Sequence, residues 1–233
     1  MAATVNPELR DLAVRHLSAG FAVATLLLVA TLQQLLAQGL AQRIGGNTQD
    51  TYRYLAVLLG TIWTATKLIA VIPTLIFWLL GRVRAYYLTL LASMIVITLE
   101  LLANVLMLVV DPLVNSWQGS VFLLSDNVLL ILVNVNVFAL WYYVLEGPIW
   151  RVSTITGEQR WDFLFPQRAT KIPGYEEWTP RFVDYWFLAL VTIFTFGPAD
   201  TIPLSRRAKL FMALEIVLSV LTLTVLLCRA LAS

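Results

Sequence analysis

The chain has 233 residues, of which 59% are hydrophobic and 13% are charged, and its formal net charge is +2. Soluble domains carry about 25% charged residues, so this composition excludes an ordinary water-soluble enzyme, and the small net charge without a basic tract excludes a nucleic-acid-binding protein. One cysteine and one histidine leave neither a disulfide framework nor a zinc site within a single chain. We therefore expect one integral membrane domain, with the lipid bilayer as its first partner and no cofactor.

Five apolar segments are long enough to form transmembrane helices, because about 20 mostly apolar residues cross the roughly 30 Å hydrocarbon core. The first segment is longer than the apolar part of a signal peptide, so we expect it to remain as a span. The segments are residues 14–40, 54–80, 86–110, about 121–145, and 208–231.

A polar segment, residues 147–181, separates the fourth and fifth spans and is rich in proline and charged residues. Its aromatic residues, among them Trp150, Trp161 and Trp178, are of the kind that lies at headgroup depth, so we expect the segment to follow the membrane surface. The chain then divides into a four-helix transmembrane region at 1–146, an amphipathic polar loop at 147–181 and a final module at 182–233.

A further apolar segment, residues 182–196, is too short to cross a bilayer. It runs into Gly197-Pro198, and proline disfavours helix at the residue before it, so we expect the helix to stop near Gly197. The backbone groups freed beyond that point must face protein or water. The sequence therefore predicts an all-α membrane protein with about five transmembrane helices and a short re-entrant, pore-type helix before the last span. The alternative is that residues 182–203 cross as a sixth span.

Residues 182–233 carry an ordered motif: an aromatic residue, a short apolar helix with threonines, a Thr-x-Gly-x-x-Asp-x-x-Pro string, and a long apolar helix. This module resembles the pore helix, selectivity filter and inner helix of two-transmembrane potassium-channel modules. It also resembles uncharacterised bacterial membrane proteins in which a string such as Ser-Pro-Thr-Asp replaces the second half of the filter. The resemblance implies that Glu215 and Ser219 lie on an inner helix, with Ser219 where a hinge glycine is frequent. The matching residues before that helix are Phe187, Thr192, Thr195, Gly197, Asp200 and Pro203.

Three residues of the filter-like string depart from the potassium-channel pattern. Phe196, Pro198 and Ala199 stand where the family has valine, tyrosine and the second glycine. A potassium filter turns successive carbonyls toward one axis, whereas proline fixes φ at about −65° and alanine is strained at positive φ. We therefore expect that a pore built from residues 195–200 selects weakly between monovalent cations, with Asp200 carboxylates at its mouth. The alternative is a buried turn in which Asp200 caps the following backbone.

Several polar residues lie inside the predicted spans, where each charged group is costly and marks a functional hypothesis. Lys67 and Glu100 are expected to form a buried pair, with an ion or proton pathway as the alternative. Asn104 lies one turn from Glu100 on the same helix face. Asn127 and Asn134 share a face of the fourth span, which predicts interhelical hydrogen bonds.

Glu215 lies within the last span, and the sequence leaves two roles open for it. Its carboxyl group either faces a pore cavity or packs inside the fold. None of the spans carries the regular arginine series of a voltage sensor, so we do not expect voltage sensing by that device.

Two arguments about orientation disagree. Lysine and arginine concentrate near the N-terminus, at Arg82 and Arg84, and in residues 147–182, and the positive-inside rule would place these regions in the cytoplasm. The pore loops of potassium channels enter from outside, which with five spans requires an external N-terminus. A sixth span would satisfy the charge rule with both termini inside. We favour the external N-terminus, because a loop rich in interfacial aromatic residues weakens a simple charge count.

Two classes of function remain. The first is a pore-loop ion channel of the plasma membrane that passes monovalent cations with poor selectivity. One pore loop cannot enclose an axis, so this class requires a homo-oligomer, most simply a tetramer. The second class is a non-conducting membrane scaffold or partner subunit derived from the channel fold. A transporter or a membrane enzyme is less favoured, since neither paired inverted segments nor a catalytic constellation occurs, and we expect no enzymatic activity.

Overall fold

The computed structural model describes residues 7–44, 50–114, 120–146, 161–170, 173–174, 178–198 and 200–232. Helices account for nearly all of these residues, and each of the five predicted spans falls within one long helix to within a few residues. The all-α membrane class is therefore confirmed. The long helices are α1 (Pro7–Ile44), α2 (Asp50–Leu79), α3 (Val83–Val114), α4 (Ser120–Leu145) and α7 (Arg206–Ala232), and the short elements are β1 (Phe163–Leu164), α5 (Pro166–Ala169), α6 (Phe182–Thr195) and β2 (Ile202–Pro203).

All five long helices contain a segment that is apolar and long enough to cross a membrane. These segments also direct large apolar side chains outward, such as Ile69 on α2 and Leu88 on α3. Exposure of this kind is unfavourable in water and favourable against lipid tails. The structure is accordingly that of a multi-pass membrane protein.

The turn between α2 and α3 follows from one glycine. Gly81 takes φ +65°, its N–H donates to the carbonyl of Trp78 at 3.1 Å, and the N–H of Arg82 donates to the carbonyl of Phe77 at 3.0 Å. This pair of bonds is the Schellman motif that closes many helices, and it needs a residue that tolerates the left-handed region. The break after the second predicted span is therefore encoded locally.

The central helix of the fold is α4. It packs against α1, α3, α6 and α7, and every side chain from 133 to 146 is buried. In contrast, α2 contacts mainly α1 and α3 and lies at the outside. Helices α1 to α3 thus form one side of the molecule, and α6 and α7 cover the other side of α4.

Helix α6 is re-entrant in shape. Its 14 residues span about 21 Å, less than the hydrocarbon core. Strand β1 precedes α6 and strand β2 follows it. The two strands pair antiparallel, with Phe163 opposite Pro203. The side chain of Arg207, at the start of α7, donates to the carbonyl of Leu145, at the end of α4, at 3.2 Å. Because the chain leaves and returns at the same end of α4, residues 182–203 do not cross as a sixth span.

The described part of the polar loop contains β1 and α5 and is attached to the transmembrane helices. Residues 147–160 lie outside the described residues. The division at 146/147 and 181/182 therefore stays a prediction, although α4 ends at Leu145 and α6 begins at Phe182.

Candidate functional site

The filter-like string follows directly from the end of α6. The helix stops at Thr195, and Phe196 takes the left-handed conformation with φ 54° and ψ 34°. The helix end near Gly197 is as predicted, but the left-handed residue is Phe196 and not a glycine. The hydroxyl group of Thr195 lies 2.8 Å from the carbonyl oxygen of Val191 and 2.7 Å from that of Gly197. The side chain of Thr195 therefore stabilises the turn that follows α6.

The filter-like residues differ in exposure. Thr192 is buried on α6, whereas Thr195, Phe196, Pro198 and Asp200 are exposed, and Gly197 and Pro203 are half-buried. The carboxylate of Asp200 accepts a hydrogen bond from the hydroxyl group of Thr201 at 3.1 Å. Ala199 lies outside the described residues. The described residues of the string thus form a mostly exposed tip on the single chain, and its role as a filter or as a structural turn stays a prediction.

Glu215 and Ser219 of α7 face inward, toward α4. The phenol group of Tyr142 donates to Glu215 Oε2, and Asn134 Nδ2 donates to Ser219 Oγ at 3.0 Å. Ser219 donates in turn to the backbone carbonyl of Glu215 at 2.6 Å. Of the two roles left open by the sequence, Glu215 therefore takes the packed one within this chain.

Thr192 connects the re-entrant helix α6 to the contact between α4 and α7. Its hydroxyl group donates to the carbonyl of Leu188 at 2.8 Å and also interacts with the phenol group of Tyr142. Tyr142 of α4 therefore touches α6 through Thr192 and α7 through Glu215. Asn127, which shares this face of α4 with Asn134, is fully buried.

The predicted pair of Lys67 and Glu100 is present, with Lys67 Nζ 2.8 Å from Glu100 Oε1 and both side chains buried. Gln34 of α1 completes the cluster: its Oε1 lies 3.4 Å from Lys67 Nζ and accepts a hydrogen bond from Thr64 at 2.8 Å. Asn104 is buried on the same face of α3. The ion or proton pathway through these residues stays a prediction.

Sequence reasoning missed a cluster that anchors the polar loop. The guanidinium group of Arg168 stacks on the ring of Trp161 at 3.6 Å and bonds Glu146 Oε1 at 2.5 Å. The phenol group of Tyr185, on α6, donates to Glu146 Oε2 at 2.7 Å. The sequence gives no sign of this role for Glu146, because its partners lie 22 and 39 residues away along the chain and no local spacing reveals them.

A second anchor joins the loop to α7. Arg207 holds Asp162 through two bonds, from Nε at 2.9 Å and from Nη2 at 2.6 Å. Paired bonds of this kind between guanidinium and carboxylate fix orientation as well as distance. The N–H of Leu204 also donates to the carbonyl of Asp162 at 2.8 Å. The two anchors fix the base from which α6 and the exposed tip project.

Among the described residues, no group of three or more histidine, cysteine, aspartate and glutamate side chains lies together as a metal site would require. Comparison of the chain with protein-family models, curated proteins and solved structures finds no match. The fold and the site together define a multi-pass α-helical membrane protein with a re-entrant short helix.

Proposed function

We propose that this protein is a channel-like membrane pore of the plasma membrane, which assembles from several copies and passes monovalent cations with poor selectivity. The main support for the proposal is the order of the elements along the chain. The long helix α4 is followed by the re-entrant helix α6, then by the exposed tip, and then by the long helix α7. This order matches the outer helix, pore helix, filter and inner helix of the potassium-channel modules that the sequence resembles.

The exposed tip supports assembly. Thr195, Pro198 and Asp200 lie at the surface of the single chain, next to outward-facing apolar side chains of α6 such as Phe187 and Phe194. One tip cannot enclose an ion path, and closed rotational symmetry would bring several tips to a common axis. A ring of Asp200 carboxylates would then favour cations over anions.

The conformation of the tip supports poor selectivity. A potassium filter presents successive carbonyl oxygens to the ion, but the Gly197 carbonyl lies 2.7 Å from the Thr195 hydroxyl group and so turns back toward its own helix. Pro198 cannot rotate about φ to restore the ladder. Potassium and sodium carry the same charge, so discrimination between them would rest on ion size alone.

A non-conducting scaffold or partner subunit is the second candidate, and two observations favour it. The tip satisfies its Thr195 hydroxyl group internally, and the inner-helix carboxyl of Glu215 is engaged by Tyr142 within the same chain. For a scaffold, the channel-like architecture would serve as a structural unit, and assembly around a pore axis would not be needed.

Reconstituted protein distinguishes the two candidates. We expect vesicles with the full chain to pass potassium and sodium at similar rates, and Asp200→Asn to reduce both fluxes about tenfold by removing the focusing charge. The matched control is Lys209→Gln, which changes an exposed charge away from the tip and should leave the flux unchanged.

The particle mass in detergent completes the test. A channel requires a protein mass that is a multiple of 26.1 kDa, most simply four copies. Strong potassium selectivity, or currents indifferent to Asp200→Asn, would contradict the proposed pore. A monomeric particle without flux would establish the scaffold candidate instead.

A further inference from the structure

The carboxyl group of Glu215 is fully buried and forms no ion pair with a described residue. Its side chain is 0% exposed, and Oε2 accepts the hydrogen bond from Tyr142. Its other oxygen, Oε1, has no hydrogen-bond partner within the part of the chain that the structure describes. A carboxylate normally accepts several hydrogen bonds, so half of this group is left without a donor.

Within the described part of the chain, Glu215 has no cation as an ion-pair partner. The ion pairs between described side chains are Lys67 with Glu100, Arg168 with Glu146, and Arg207 with Asp162, so each of these cations already has a carboxylate. A fully buried, unpaired carboxylate costs more than packing of the surrounding helices can offset. On the elements packed against α7, the ionisable and charged residues whose side chains are described are Arg84, Tyr86, Tyr87 and Glu100 of α3, Asp126, Tyr142 and Tyr143 of α4, and Asp184 and Tyr185 of α6. Glu146 follows α4 directly.

A second acceptor nearby also lacks a donor. Asn134 bonds Ser219 through Nδ2, but its Oδ1 is buried without a partner among the described residues. Ser219 lies one turn from Glu215, and its hydroxyl group donates its hydrogen to the backbone carbonyl of Glu215. The contact between α4 and α7 therefore has more buried acceptors than hydrogens to fill them. One additional proton on the Glu215 carboxyl would remove the charge and supply a donor at the same time.

We propose that Glu215 is a proton-binding site inside the membrane domain, and that the packed arrangement of α4, α6 and α7 is its proton-loaded form. Loss of the proton would leave a charge between Tyr142 and the apolar core, and would draw water into the contact. Because Tyr142 also touches Thr192 on α6, release of the proton would loosen the helix that carries the exposed tip. The inference does not require that the protein conducts.

Infrared spectroscopy of the detergent-purified full chain at neutral pH tests the proton directly. We expect a carbonyl band of a protonated carboxylic acid that shifts in heavy water and disappears in Glu215→Gln. The matched control, Asp200→Asn at the exposed tip, should keep the band. A wild-type spectrum without this band, or a band that survives Glu215→Gln, would overturn the proposal. If Glu215→Gln does not fold, Tyr142→Phe takes its place: it should shift the band by removing a hydrogen bond, and an unshifted band would contradict the assignment.

The pH dependence of unfolding gives an independent readout. The unfolded chain releases the Glu215 proton above about pH 4.3, whereas the folded chain keeps it, so this contribution to stability is complete below that pH and falls as the pH rises. Relative to Glu215→Gln, the wild-type unfolding constant should rise about tenfold per pH unit until the folded carboxyl ionises. Identical pH profiles would contradict proton binding. A profile that depends on sodium or potassium, compared with choline at equal ionic strength, would assign the balancing charge to a bound metal cation and overturn the proposal.

Discussion

At the scale of single residues, Phe196 illustrates how the tip departs from a potassium filter. Helix α6 ends at Thr195, and Phe196 takes the positive φ that follows the helix. The left-handed residue is therefore Phe196 and not the neighbouring Gly197. The side chain of Phe196 is 49% exposed, which leaves the backbone conformation as its main structural contribution. A residue with a β-carbon is strained in this region unless its surroundings hold it there.

Substitution at Phe196 measures that strain. We expect Phe196→Val, which introduces the valine of the potassium-channel pattern, to lower the free energy of unfolding by about 1–2 kcal/mol, because β-branched residues are disfavoured at positive φ. Phe196→Gly should be at least as stable as wild type. Unfolding in mixed detergent micelles provides the comparison, and a valine variant as stable as the glycine variant would contradict the left-handed turn.

At the scale of the elements, charged and polar contacts join helices that are distant in sequence. Lys67 and Glu100 connect α2 with α3, and Asn134 and Ser219 connect α4 with α7. Asp162 and Arg207 fix the loop to the start of α7. In lipid the hydrophobic effect does not drive helices together, so contacts such as these and close packing decide which faces meet.

The pair between α2 and α3 gives a test of this principle. We expect Lys67→Met to lower the free energy of unfolding by about 3 kcal/mol, because it leaves Glu100 buried without a counter-charge. The double variant Lys67→Met/Glu100→Met should recover most of that loss. Thr66→Val is the matched control, since Thr66 is exposed and, among the described residues, bonds the Ile62 carbonyl of its own helix. A double variant no more stable than the single one would show that the pair is not the source of the loss.

At the scale of the whole molecule, the re-entrant shape of residues 182–203 fixes an odd number of spans. The start of α1 and the end of α7 therefore lie on opposite sides of the membrane, and the α2–α3 turn at Arg82 lies on the side from which α6 enters. A channel-like arrangement places that side outside, whereas the distribution of lysine and arginine places it in the cytoplasm.

Cysteine labelling decides between these orientations. In a Cys228→Ser background, which removes the single native cysteine, we expect Arg82→Cys to react with a membrane-impermeant maleimide on intact cells, as entry of α6 from outside requires. A cysteine placed at Leu231, an exposed residue at the end of α7, is the control and should react only after permeabilisation. The reverse pattern would show that α6 enters from the cytoplasm and would contradict the orientation of a potassium channel.

The sequence by itself determined the membrane class, the five spans and the end of α6, because span length, apolar composition and the Gly-Pro stop are local properties that each segment carries alone. It also identified Lys67 and Glu100 as partners, since two opposite charges in lipid have few alternatives. Only the tertiary structure decided that Glu215 faces Tyr142, that Glu146 is held by Arg168 and Tyr185, and that the tip is exposed. Each of these depends on which helix faces meet across long sequence separations, and mostly apolar helices differ too little around their circumference for composition to choose the face.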